Sequence, residues 1–302
     1  MPKTTPPTRK PSVAIIGAGR LGQALAMALQ SSGYPILALV ARRRQKAKKA
    51  VASMGATKPL PVALAASQLT ELPETDVIII STPDDVIEET ALGLANFRYG
   101  NQSGTVLHTS GALSSEVLAP LAKAGFQTGS MHPLVSISDP LAGAAALRGA
   151  YFCLEGTRKA KLLATGIVHD LGGHSFTIKQ ENKALYHAAA VMASPHLVAL
   201  FDLAVEMLAA CGLNRANAQK VLLPLLESTV NNIKTSSPQK ALTGTFARGD
   251  LATVRKHLSA LSDKEIAQAL EVYKLLGRHS VELAAKNHRD PQLLKQMRKL
   301  LN

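Results

Sequence analysis

Tryptophan is absent from the 302-residue chain, and aromatic residues make up only 4% of it. That shortage argues against a carbohydrate-stacking surface or a single-stranded nucleic-acid platform, both of which are built on such rings. Cysteine is nearly absent too: Cys153 and Cys211 stand in apolar contexts without metal-ligand spacing. They are expected as buried free thiols in a reducing compartment, and no metal site is expected. No uninterrupted apolar run reaches the roughly 18 residues of a bilayer span. Residues Met1 to Pro11 are polar and Pro-rich, without the apolar core of a signal peptide, and are expected as a disordered tail. The expected location is cytoplasmic, with no membrane partner.

Acidic residues are missing from the whole N-terminal segment, where none precedes Glu71. Eleven of the 34 cations lie before that point: Lys3, Arg9, Lys10, Arg20, Arg42, Arg43, Arg44, Lys46, Lys48, Lys49 and Lys58. The remaining 23 nearly balance all 21 acids, so the net charge of +13 belongs largely to one segment. A phosphate-rich small ligand accounts for this excess with fewer assumptions than DNA or RNA, and no nucleic-acid partner is expected.

Hydrophobic residues form 46% of a chain long enough for two domains. Short apolar runs at Ser12–Ile16, Ile36–Val40, Val77–Ser81, Thr105–Thr109, Gln127–Met131, Tyr151–Leu154 and Ser175–Ile178 read as strands. Amphipathic stretches such as Leu21–Gln30, Asp84–Ala95 and Ser115–Ala124 separate them. This alternation predicts an α/β domain over residues 12–179, with a mostly parallel sheet covered on both faces. From 180 to 302 only helical patterns remain, so an all-helical second domain is expected. One helix of some thirty residues is predicted over Asn182–Cys211, ended by Gly212.

Gly17-Ala18-Gly19-Arg20-Leu21-Gly22 follows the strand Val13-Ala14-Ile15-Ile16 and opens a helix. In a Rossmann dinucleotide site, a first glycine makes the tight turn, a second lets backbone approach the pyrophosphate, and a third lets helix pack on strand. Gly17, Gly19 and Gly22 fit those tasks, with Arg20 and Leu21 beside the phosphates at the helix N-terminus. The second strand runs into Ala41-Arg42-Arg43-Arg44, where an NAD-preferring site carries a carboxylate. Arg42 or Arg43 can instead pair with a ribose 2′-phosphate, so the expected cofactor is NADP. Further strand ends supply Thr82 and Pro83, then Ser110, then His132 before Pro133. Ligands bind outside the carboxyl ends of parallel strands, so these groups should converge beside the cofactor. Thr82 and Ser110 serve equally well as ordinary helix caps.

The segments His108-Thr109-Ser110-Gly111-Ala112, Ser130-Met131-His132-Pro133-Leu134 and Tyr186-His187-Ala188-Ala189-Ala190 resemble a bacterial family, as do Ala241-Leu242-Thr243-Gly244, Arg248-Gly249-Asp250 and His257. That family pairs a Rossmann-like domain with a C-terminal helical domain of unknown function. It is similar to the 6-phosphogluconate dehydrogenase-like superfamily, which includes β-hydroxyacid dehydrogenases, ketopantoate reductase and pyrroline-5-carboxylate reductase. The resemblance spans about Ser12 to Leu294. It implies an NADP-linked oxidoreductase acting on a small, anionic carbonyl, hydroxyacid or imine substrate, and a homodimer built on the helical domains. By that resemblance Lys183, with His187 one turn on, reaches the reacting carbon as acid or electrostatic anchor; His132 is the third catalytic candidate. Two positions depart from the pattern: Pro195 stands where Asn is expected, and Thr245 where Pro is usual. The missing amide leaves a second reading, a non-catalytic NADP(H)-binding sensor or interaction protein.

Overall fold

The computed structural model describes residues 9–55, 59–97, 104–263, 266–286 and 290–302. Residues 1–8 of the expected tail, with Lys3, and also Lys58, lie outside the described residues. Lys10, expected in the tail, is tied by an ion pair to Asp170. Two compact units form, Met1–Ser194 and Pro195–Asn302.

The first unit runs β1 (Val13–Ile16), α1 (Arg20–Ser31), β2 (Ile36–Ala41), α2 (Arg44–Ser53), β3 (Val62–Ala65), β4 (Val77–Ile80), α3 (Asp84–Asn96), β5 (Thr105–His108), α4 (Ala119–Lys123), β6 (Gln127–Leu134), α5 (Pro140–Ala146), β7 (Tyr151–Gly156), α6 (Arg158–Asp170), β8 (His174–Thr177) and α7 (Lys183–Ala193). The eight strands lie in the order β3-β2-β1-β4-β5-β6-β7-β8. The strand order reverses between β1 and β4, which opens a crevice at their carboxyl ends. Alternate side chains feed two cores. Val13, Ile15, Leu39, Ile79 and Leu107 pack on one face, and Ala14, Ile16, Val40, Ile78 and Ile80 on the other.

Three features differ from the sequence expectation. Strand β3 was not foreseen, because Val62-Ala63-Leu64-Ala65 is short and Ala-rich; pairing with Ala38–Ala41 holds it at the sheet edge. Strand β6 continues past Met131 to Leu134, so His132 and Pro133 lie within a strand and not on the loop expected after it. Pairing with β5 stops at His108 opposite Ser130. The second half of β6 is therefore held by β7, which runs antiparallel and places Cys153 opposite His132. The third difference is the long helix. Residues Gln180–Ala210 are long and apolar enough to cross a membrane by length and composition, although no single apolar run suggested it. The backbone breaks at Ser194 (φ −128°, ψ −81°), because the residue before a proline avoids helical geometry. The result is an 11-residue α7 and a 16-residue α8, each shorter than the roughly 20 residues of a span.

Helices are the only regular elements among the described residues of the second unit: α8 (Pro195–Ala210), α9 (Arg215–Thr235), α10 (Pro238–Ala241), α11 (Gly244–Arg248), α12 (Leu251–Asp263), α13 (Ala267–Ala285) and α14 (Pro291–Leu300). Val254, Val281, Leu294, Met297 and Leu301 form its core. Asp250 caps α12 by accepting from the Thr253 N–H (3.0 Å) and hydroxyl (2.6 Å), so the Arg248-Gly249-Asp250 motif acts in part as a helix start. Cys153 is buried as expected, but Cys211 is exposed at the end of α8. The units divide at Ser194, beyond the boundary expected near residue 180, because α7 packs its polar side chains into the first unit.

Candidate active site

The turn between β1 and α1 is shaped by two crowded glycines and one open one. Gly17 has φ +108°, and a β-carbon there would lie 2.4 Å from the Ser81 carbonyl. A β-carbon on Gly22 would lie 2.0 Å from the Gly17 oxygen, so helix and turn touch through backbone. One on Gly19 would meet nothing within 4 Å. The N–H groups of Gly17 and Ala18 both bond to the Val40 oxygen (2.9 and 3.0 Å), which brings the turn beside the end of β2. No side chain caps α1 at Gly19, leaving its first N–H groups available to an anion.

Arg42 and Arg43 follow β2 with exposed side chains, and Arg43 immediately precedes α2, whose start no side chain caps. Arg44 is already engaged, donating from Nε to the Ala63 oxygen at 3.1 Å. Two guanidinium groups and a helix start thus stand together where the sequence offers no carboxylate.

A cavity of about 480 Å³ runs from this turn across the strand ends. Gly19, Arg20, Leu21, Thr82, Pro83, Ser110, His132 and His187 all line it, joined by Asp84 and Gly111 from the same two strand-end segments as Thr82 and Ser110. Thr82 is no cap: its hydroxyl is buried and has no partner among the described residues. Ser110 is one. Its hydroxyl donates to Asp84 (2.8 Å) and accepts from the N–H groups of Ala112 and Leu113 (3.2 and 3.0 Å).

Lys183 is placed differently from the expectation. Its side chain is buried, and Nζ donates to the Ser110 carbonyl (3.0 Å) and the Ser130 hydroxyl (2.8 Å). The ammonium lies behind the Ser110 peptide, and Lys183 is not among the residues lining the cavity. Burial lowers its pKa, a shift opposed by the carboxylates of Glu155 and Asp84. Glu155, opposite Ser130 in the β6–β7 ladder, is a buried carboxylate that accepts from the Ser115 N–H (2.7 Å) and hydroxyl (2.6 Å).

The cavity wall therefore presents imidazoles. Burial, then the Lys183 charge, then His187 push the His132 pKa down to about 4. His108, wholly buried below, is pushed to about 3 by burial and by Lys183. Its Nδ1 accepts from the Ser110 N–H and its Nε2 donates to the Ser114 carbonyl, both at 3.2 Å, so its tautomer is settled. His132 Nδ1 is 2.6 Å from the Tyr186 hydroxyl. A β-carbon on Gly111 would lie 2.4 Å from His187 Nδ1 and 2.8 Å from His132 Nε2, so only glycine lets both rings close on this loop. Cys153 has no local signature of function, whereas His108, Ser130 and Tyr186 open segments that carried the resemblance without a role expected for them; strand register and the turn of α7 bring the four together.

The geometry passes a test of fit for a dinucleotide. Gly19 leaves room at a bare helix start, Arg42 and Arg43 flank the next strand end, and the unpartnered Thr82 hydroxyl belongs to a residue of the same cavity wall.

Comparison with known proteins agrees with this architecture. A model of a Rossmann-like domain matches residues 2–133, and the model described as a domain of unknown function (DUF2520) matches residues 150–280. Among solved structures, protein TM1727 from Thermotoga maritima is 26% identical over 92% of this chain and 100% of its own, with a TM-score of 0.70. BF3122 from Bacteroides fragilis, a candidate NADP oxidoreductase by its name, is 21% identical over 92% of this chain and 99% of its own, with a TM-score of 0.70. The 1-pyrroline-5-carboxylate reductase of Streptococcus pyogenes is 15% identical over 97% of this chain and 100% of its own, with a TM-score of 0.59. At those identities the last two likenesses bear on the fold alone. No curated protein matches the chain.

Proposed function

From a chain that carries a Rossmann-like domain followed by a DUF2520 helical domain, we propose an NADP(H)-dependent oxidoreductase that moves a hydride to or from a small carbonyl, hydroxyacid or imine. The observation that carries this reading is the continuity of one cavity, from the open Gly19 turn to the imidazoles of His132 and His187. Gly17, Gly19, Gly22 and the first turn of α1 hold the pyrophosphate, with Arg20 and Leu21 beside it. Arg42 and Arg43 take the 2′-phosphate, while Thr82, Pro83 and Ser110 border the nicotinamide. NADPH, when bound, supplies the hydride, and the protein positions the acceptor carbon and stabilises the charge that develops on its heteroatom. The names of the reductases that share the fold accord with this chemistry.

Two further points belong to the proposal. Lys183 is spent on the loop and on Ser130, so an anionic substrate must find its cation elsewhere than at Nζ. Exposed apolar side chains on α8 and α9, among them Val198, Val221 and Leu225, suit pairing with a second copy of the chain. The decisive assay is NADPH oxidation against a panel of keto acids, aldehydes and cyclic imines, with the transferred deuterium traced from each face of the nicotinamide. Tight NADPH binding without turnover of any compound would favour a cofactor-binding sensor instead. That second reading draws on the occupied Lys183 ammonium.

A further inference from the structure

We propose that Tyr186 is a positioning residue that holds His132 as a neutral imidazole carrying its proton on Nε2, beside Gly111, so that the reacting oxygen or nitrogen of a substrate meets a neutral donor. The substrate part of this statement rests on the oxidoreductase reading above; the tautomer does not.

A single proton bridges the 2.6 Å between Tyr186 Oη and His132 Nδ1. Its side is decided by the next group in line. The Tyr186 hydroxyl also interacts with Cys153, the residue opposite His132 on β7. Burial keeps that thiol protonated. A thiol sulfur is a weak acceptor, and an imidazole nitrogen is a much better one. The Tyr186 proton therefore goes to Nδ1, and the Cys153 S–H turns toward Oη. The three groups donate in one direction, Sγ–H to Oη–H to Nδ1, and the remaining imidazole proton must be on Nε2. That atom faces Gly111, at 2.8 Å from where a β-carbon would stand, and both residues belong to the cavity wall.

The surroundings oppose a second proton on this ring. Lys183 of α7 places a positive charge near both His132 and His108 of β5, with His187 also beside His132, so an imidazolium would be buried against that charge even though the Glu155 and Asp84 carboxylates act on Lys183 from the other side. It would also set an Nδ1–H against the Tyr186 hydroxyl proton, which would have to turn. As hydride reaches a carbonyl carbon, the C=O π pair moves to oxygen. The Nε2–H then stabilises the alkoxide as a fixed dipole, and water provides the proton that completes the alcohol.

The test is nitrogen NMR on protein labelled with ¹⁵N in its histidine rings, with His132 identified by the signals lost in His132→Gln. The wild type should show His132 as one Nε2–H tautomer that does not titrate from about pH 8 to about pH 5. Tyr186→Phe, which keeps the ring against Phe176, should give a mixture of tautomers. Cys153→Ala should keep the single tautomer, because Tyr186 still donates to Nδ1. A wild-type His132 protonated on Nδ1, or one that gains a second proton near pH 6.5, overturns the proposal, whatever the variants do. An unchanged tautomer in folded Tyr186→Phe also overturns it. NADPH titration of the same samples, read by nicotinamide fluorescence, keeps the questions apart. Failure to bind NADPH would sink the cofactor reading and leave the tautomer result standing.

Discussion

Gly19 differs from Gly17 and Gly22 in what a methyl group would touch. The structure leaves the space about it empty, whereas Gly22 is in contact with the Gly17 carbonyl. Gly19→Ala should therefore fold with an unchanged thermal midpoint yet bind NADPH at least about tenfold more weakly, a loss of about 1.4 kcal/mol. Gly22→Ala should lower stability itself, by about 1–3 kcal/mol, because α1 must move away from the turn. Parallel calorimetry and denaturant unfolding check both. Wild-type NADPH affinity in Gly19→Ala would remove the pyrophosphate from this turn. The glycine spacing and the three separate tasks were readable in the chain, but the neighbour that crowds Gly17, the Ser81 carbonyl, lies far along the sequence and came from the fold.

At the scale of elements, α7 is a polar plug for the strand ends. Lys183→Met deletes the donor that satisfies the Ser110 carbonyl and the Ser130 hydroxyl, and it leaves the buried Glu155 carboxylate without its compensating charge. Unfolding in urea should show a loss of about 1–3 kcal/mol. Unchanged stability would mean that these bonds are not made in solution. Strands β5 and β6 carry a second expectation, through His108 and His132. Their folded pKa values of about 3 and about 4 lie below the ordinary 6.5, so the unfolded chain binds more protons in between. Stability is then full above pH 6.5 and falls on acidification. Each histidine contributes up to about 1.4 kcal/mol per pH unit within its window, down to about pH 4 for His132 and about pH 3 for His108. Denaturant midpoints measured from neutral pH downward check the sign, and His108→Asn with His132→Gln should flatten the slope. A slope unaltered by both substitutions would assign the acid sensitivity to other groups.

For the whole molecule, the uneven charge is the feature with the largest consequence. The acid-free N-terminal segment supplies β1, β2 and β3, and Arg42 and Arg43 stand at its second strand end. NADPH should therefore bind more tightly than NADH. Replacing both arginines by Ala should cost about 1.5–3 kcal/mol per lost charge-assisted contact, for NADPH only. Equal affinities of the wild type for the two cofactors at moderate salt would defeat the assignment.

Local chemistry was enough to establish the strand–glycine–helix unit, the lack of a carboxylate after β2, the strand-helix alternation and the change to helices near residue 180. Each depends on residues close together in the chain, through backbone geometry, side-chain period and charge. Tertiary structure alone decided the rest. The antiparallel return of β7 carried Cys153 to His132, whereas the helix break at Ser194 follows from Pro195 next to it in the chain. The environment of Lys183 also had to come from the fold, since residues about fifty and seventy positions earlier, Ser130 and Ser110, accept its protons. Hydrogen-bond partners brought together by a sheet leave no periodic trace in a sequence, because their spacing is set by register and connection length and not by the pitch of one element.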